Sequence, residues 1–124
     1  MANPAPGFAR HPGHAITLHR SGERIRVAIK GMPLADSRNS VTLRESGYPD
    51  LHYLPRADIR MDRLLRSTHT TRCPFKGEAT YWNLDAPGSE IANAGWGYES
   101  PYDEVAEIAG HVAFDTRLVD ITIG

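Results

Sequence analysis

Cys73 is the one cysteine of the chain, and Lys76 stands three residues beyond it. An ammonium close to a thiol lowers the thiol pKa and favours the nucleophilic thiolate. A thiolate enzyme also needs a proton acceptor, and His69 or His111 would serve if the fold carried one of them to Cys73. The same residue has a plainer use. Free cysteines are among the most buried side chains and pack as small hydrophobes. The sequence alone leaves both readings standing.

Beside the cysteine, Thr70, Thr71, Arg72, Lys76 and Gly77 offer hydroxyls, cations and a turn, a set that suits phosphate. The glycine-rich G-x-x-x-x-G-K-[ST] run is absent, so hydroxyls capping a turn beside a solvated Lys76 explain the residues as well. Tyr53, Tyr81, Trp82, Trp96 and Tyr98 are a large aromatic set for so short a chain. Such rings either fill a core or wall a pocket for a cation, a flat ring or a stacked base.

Other chemistries find less footing. Asp58, Asp62, Glu78, Asp103, Glu104 and Asp115 are scattered, with no spacing that pairs two of them into an acid/base couple of the glycosidase kind. A single cysteine excludes an intrachain disulfide and any C-x-x-C zinc pair. Of the six histidines, His11 and His14 fall in the N-terminal arm, His52 in a strand, and His111 between Gly110 and Val112. None sits at metal-ligand spacing, so neither metal nor cofactor is expected.

The elements that must position these groups read as short strands. Pro4, Pro6, Gly7, Pro12 and Gly13 break up residues 1–13, read as a flexible arm preceding a single domain over 14–124. Ile16 and Leu18 alternate with polar neighbours, Ser21-Gly22 marks a turn, and Ile25, Val27 and Ile29 alternate again, which predicts a hairpin. Gly31-Met32-Pro33 breaks it. Extended pieces follow over 34–37, 41–43 and 51–54. Residues 55–65, with apolar positions at 61, 64 and 65, fit a short helix.

Ser67 to Gly77 reads as a structured loop that enters a strand carrying Ala79, Tyr81 and Asn83 on one side and Thr80, Trp82 and Leu84 on the other. Asp85-Ala86-Pro87-Gly88 is a turn. Trp96 and Tyr98, two apart, share one face of the next strand. Gly95 and Gly97 leave the other face bare for something to pack closely. Pro101 to Ala109 reads as a second short helix with acids near its start. Final strands lie over 112–114 and 118–123. Many short strands and at most two short helices give a mainly β domain of curled antiparallel sheets.

One domain of 124 residues, 40% hydrophobic and 23% charged, belongs to the ordinary globular class. The Pro/Gly-rich start has no apolar run, so neither a signal peptide nor a membrane anchor is expected, and a cytoplasmic, reducing setting is the default. Net charge is −1, but residues 1–72 carry twelve Arg/Lys against six Asp/Glu, and residues 73–124 carry two against nine. Such asymmetry marks either a nucleic-acid face or two halves that neutralise each other across strands. The arginines are dispersed rather than packed in a tract, which favours neutralisation.

Tyr53-Leu54-Pro55, Asp58-Ile59, Leu64-Leu65 and the run from Ser67 through Cys73-Pro74-Phe75-Lys76-Gly77 to Tyr81-Trp82 resemble the bacterial family known as domain of unknown function 427. Asn93-Ala94-Gly95-Trp96 with Tyr98 and Pro101, then Ile108 to Phe114 and Val119-Asp120, extend the likeness over nearly all of the chain after the arm. The resemblance implies a β-tent-like fold, two curled antiparallel sheets meeting at an angle, as in B-type methionine sulfoxide reductases and the ligand-binding domain of cereblon. Many β-tent proteins hold zinc with four cysteines, which this chain does not have. It also has no resolving cysteine for reductase chemistry. Cereblon-like relatives bind small rings in a tryptophan cage, a part Trp82 and Trp96 would play by fold analogy. The family has also been labelled nucleotidyltransferase, a chemistry for which this chain has no Gly-Ser or paired-aspartate signature.

Three functions are therefore carried forward. The first is a small-molecule-binding domain whose pocket gathers Thr70, Thr71, Cys73, Lys76, Tyr53, Trp82, Trp96 and Tyr98. The second is a thiol enzyme using Cys73 with His69, Lys76 or His111. The third is a nucleic-acid or self-association module. Homodimerisation is expected from the need to protect edge strands, and nucleic acid and membrane are not expected as partners.

Overall fold

The computed structural model describes residues 2–124. Strands β1 (Ile16–His19) and β2 (Ile25–Ile29) form where the alternation predicts them, yet they do not pair with each other. The tight turn lies one step later. Lys30 and Gly31 sit at φ 48° and 78°, the two positive values a two-residue type I′ hairpin needs. They join β2 to β3 (Met32–Ser37), with Ile29 opposite Met32. Pro33 is thus inside a strand instead of ending one. It lies on the outer strand of its sheet, beside a register slip at Val27/Ala28, where a missing N–H is tolerated.

The remaining strands are β4 (Val41–Glu45), β5 (Leu51–Tyr53), β6 (Leu64–Cys73), β7 (Gly77–Ala86), β8 (Ser89–Tyr98), β9 (Ala113–Phe114) and β10 (Asp120–Ile123). They form three antiparallel sheets, ordered β1-β4-β5, β10-β2-β3 and β6-β7-β8-β9. The fold is mainly β as expected, but the two-sheet division is corrected to three. Residues 67–73, expected as loop, belong to β6. Its threonines favour extended backbone, but it is an edge strand exposed over most of its length, so no alternation of apolar residues betrays it.

The two expected short helices are present as 3-10 turns. Arg56–Asp58 and Met61–Arg63 are separate 3-10 turns, and Asp103–Ile108 is 3-10 with a non-helical break at Val105. Each is too short to nucleate an α-helix. A single α-helical turn, α1 (Gly7–Arg10), lies in the N-terminal segment. That segment is also bonded to the domain: the Asn3 and Ala5 N–H groups donate to the Asp103 and Glu104 carboxylates, and the Gly7 N–H to the Pro74 carbonyl.

The four-stranded sheet serves two cores. Trp82, Leu84, Ala94 and Phe114 pack with Ile25, Val27, Ile29 and Leu34 of β2 and β3. Ala79, Tyr98 and Ala113 pack instead with Val41, Leu43 and Tyr53 of β4 and β5. The period-2 assignment of Ala79 and Tyr81 against Trp82 and Leu84 is thereby met. So is the expectation for the bare glycines. A Cβ at Gly97 would overlap the His111 carbonyl oxygen, and one at Gly95 would lie 3.3 Å from Val112 Cγ1.

Candidate functional site

Cys73 ends β6 and pairs with Gly77, which begins β7, so Pro74, Phe75 and Lys76 are held in a three-residue loop. Gly77 adopts φ 120° to close it. The loop is tied from outside, since the Tyr102 N–H donates to the Lys76 carbonyl and the Gly7 N–H to that of Pro74, both at 2.9 Å. These ties aim the Lys76 side chain inward, where only 9% of it remains exposed.

Its counter-charge is Glu45, the last residue of β4, whose side chain is 7% exposed. Lys76 Nζ donates to Glu45 Oε1 at 2.7 Å, and His14 Nε2 meets the other oxygen, Oε2, at 2.8 Å. Both oxygens of the buried carboxylate are therefore engaged. The imidazole of His14 stacks on Phe75 with centroids 4.0 Å apart, and Phe8 meets the same ring edge-on. A cleft of about 430 Å³ opens here, lined among others by His14, Glu45, Tyr48, Cys73, Phe75 and Lys76. It joins a half-buried thiol, a buried cation and aromatic walls.

The expected pocket is otherwise divided. Trp96 lines a second cleft of about 360 Å³ with Tyr81, Phe114 and Arg117, and Leu51 borders both clefts. The Trp96 indole N–H donates to the Tyr53 hydroxyl at 3.4 Å. Tyr53 and Tyr98 are core residues, and burial pushes both phenols far up. Trp82 is also core, 4% exposed, with the guanidinium groups of Arg56 and Arg66 at 5.0 and 5.4 Å from its ring.

Thr70 and Thr71 stand exposed on β6, Thr71 bonded to the Tyr81 hydroxyl at 3.0 Å, with the His69 ring 4.6 Å from that of Tyr81. His111 turns its Nδ1 to the Ala109 carbonyl. Neither histidine lines the cleft of Cys73, whereas His14 does. Sequence reasoning missed His14, Glu45, Tyr48 and Phe75 as a set. His14 looked like part of a loose arm, and Glu45 lies 31 residues from each of its partners, a distance no motif spans.

The basic and acidic halves meet in ion pairs: Arg20–Glu107, Arg56–Glu99, Arg63–Asp85 and Arg72–Glu78. Among the described residues no three His, Cys, Asp or Glu side chains gather as a metal site. Nor is any helix among them long and apolar enough to cross a membrane.

One family profile, described as domain of unknown function (DUF427), matches residues 17–124. No curated protein matches the chain.

Proposed function

The chain belongs to the family described as domain of unknown function (DUF427), and from that premise we propose that it binds a small molecule in the cleft between His14 and Cys73. The observation that carries this reading is the Lys76 ammonium. It is more than nine-tenths buried and makes one side-chain hydrogen bond among the described residues, to Glu45. An ammonium has three donors, and a buried donor without an acceptor is costly. An oxygen from a ligand meets that need. Apolar walls at Tyr48, Leu51 and Phe75 suit a small, largely apolar body, and the volume falls within the roughly 300–1,000 Å³ of ligand sites.

Because Glu45 already neutralises Lys76, the ligand's polar end best suited to the remaining donors is a neutral carbonyl, with a carboxylate the second candidate. Thermal unfolding in the presence of small aryl and alkyl carboxylates and amides tests this. Compounds that raise the Tm of the native protein but not that of Lys76→Met support the reading. No compound acting on the native protein, or equal shifts in both, contradicts it.

A second reading keeps the thiol chemistry. Cys73, His14 and Glu45 line one cleft, and a carboxylate on an imidazole is how a general base is oriented beside a nucleophile. In this reading His14, not His69 or His111, assists Cys73. Selective alkylation of the native thiol near neutral pH, slowed in His14→Gln, favours it. On the same family premise we infer that the sheets correspond to a β-tent-like arrangement, which superposition of an experimental structure on β-tent proteins tests.

A further inference from the structure

We propose that residues 3–14 act as a strap that holds His14 at the Cys73–Lys76 cleft and so sets the size of molecule that enters it. The inference rests on reading that cleft as a binding site and extends it to specificity. The strap is fastened at three points. Its far end is clamped on the Asp103–Ile108 turn: the Asn3 N–H donates to Asp103 Oδ2 at 2.6 Å, the Asp103 N–H to the Asn3 carbonyl at 2.9 Å, and the Ala5 N–H to Glu104 Oε1 at 2.8 Å.

Its middle lies on the site loop itself. The Gly7 N–H donates to the Pro74 carbonyl, and a Cβ at Gly7 would stand 2.7 Å from the Phe75 ring and 2.9 Å from the Pro74 oxygen. Only a residue without a side chain fits so close to the loop. The near end is His14, on Glu45 and stacked over Phe75.

Between these points the strap is open. Residues 9–13 are exposed, and their backbone hydrogen bonds among the described residues stay within the segment, from His11 to Gly7 and from His14 to His11. A segment pinned by a few hydrogen bonds and exposed between them is the kind that opens locally without global unfolding. The family match covers residues 17–124, and the strap, His14 included, lies before it.

Cys73 lines the cleft and reports on its opening without any ligand. The experiment compares alkylation of Cys73 by N-ethylmaleimide and by a bulky pyrene maleimide in the native protein, in Asp103→Ala/Glu104→Ala and in Gly7→Val. Near-UV circular dichroism confirms that the variants stay folded. The native protein is expected to discriminate strongly against the bulky reagent. Loosening either anchor, two charge-assisted hydrogen bonds in the double variant and one neutral one at Gly7, is expected to speed the bulky reagent on the order of tenfold and to erase the discrimination.

Bulky-reagent rates within about twofold of native in both folded variants, or no discrimination in the native protein, would overturn the strap. If one variant fails to fold, the other decides. Failure of the ligand-binding reading shows separately, in the melts of native protein and Lys76→Met.

Discussion

Lys76 Nζ lies 2.7 Å from Glu45 Oε1, with both side chains more than nine-tenths buried. The partners come from the β6–β7 loop and the end of β4, so this one ion pair staples the four-stranded sheet to the sheet of β1, β4 and β5. Removing one partner of a buried pair leaves the other charge uncompensated. Lys76→Met is therefore expected to destabilise by about 3–5 kcal/mol, and Glu45→Leu/Lys76→Met by much less than the sum of its two single variants. Urea unfolding of the four proteins measures this coupling.

Gly97 tests the backbone approach between β8 and the segment before β9. A methyl group there overlaps the His111 carbonyl, and backbone gives way less readily than a side-chain tip. Gly97→Ala is expected to lower stability by about 1–3 kcal/mol, whereas Gly88→Ala, whose Cβ position is open, pays only for its φ of 78°. Thermal melts of the two variants separate packing from backbone strain.

His52 gives a pH signature. Burial holds its imidazole below the ordinary range, outweighing Asp50 and Glu23, which push it up. The unfolded chain, with a value of about 6.5, takes up the proton more readily than the fold does. This contribution is thus complete above about pH 6.5 and is lost as pH falls through that value toward the depressed folded one. His52→Gln removes that part of the slope. The native-minus-variant stability difference, from urea unfolding at about pH 8 and about pH 5, is expected to shrink on the acid side.

The exposed face of β6 supplies the contrast. Thr70 and His69 are exposed and lie away from the Cys73 cleft. Thr70→Ala and His69→Ala are expected to change stability by no more than about 0.5 kcal/mol and to leave ligand-induced melting shifts intact. A lost shift in either variant would place the site on the exposed face of β6 instead of the Cys73 cleft.

What the sequence made legible was local. Alternation at Ile25, Val27 and Ile29 and at Tyr81 to Leu84 located strands and faces, because one face of each is buried against a core. Pairing was not legible. β1 looked like the hairpin partner of β2, yet its partner is β4, whose Glu45 stands opposite Ile16. The Lys30-Gly31 turn was hidden by the neighbouring Pro33, which reads as a breaker wherever edge position is unknown.

For the site, Cys73 and Lys76 stood out by type. Trp82, Tyr53 and Tyr98 stood out too, and all three are core residues, since large aromatics serve cores as readily as pockets. His14 and Glu45 were invisible because a buried charge cluster assembled from three distant segments leaves no spacing behind. Proline and glycine in residues 4–13 gave no sign that the backbone at Gly7 lies against Phe75, where a Cβ would stand 2.7 Å from the ring.

The central claim is that the cleft at Lys76 receives a ligand, and amide-resolved NMR titration tests it most directly. Small carboxylates and amides would be titrated into uniformly 15N-labelled protein. The account predicts saturable shifts concentrated at His14, Tyr48, Phe75, Lys76 and Gly77, and absent in Lys76→Met. Shifts gathered instead around Trp96 and Arg117, or none that saturate, would contradict it.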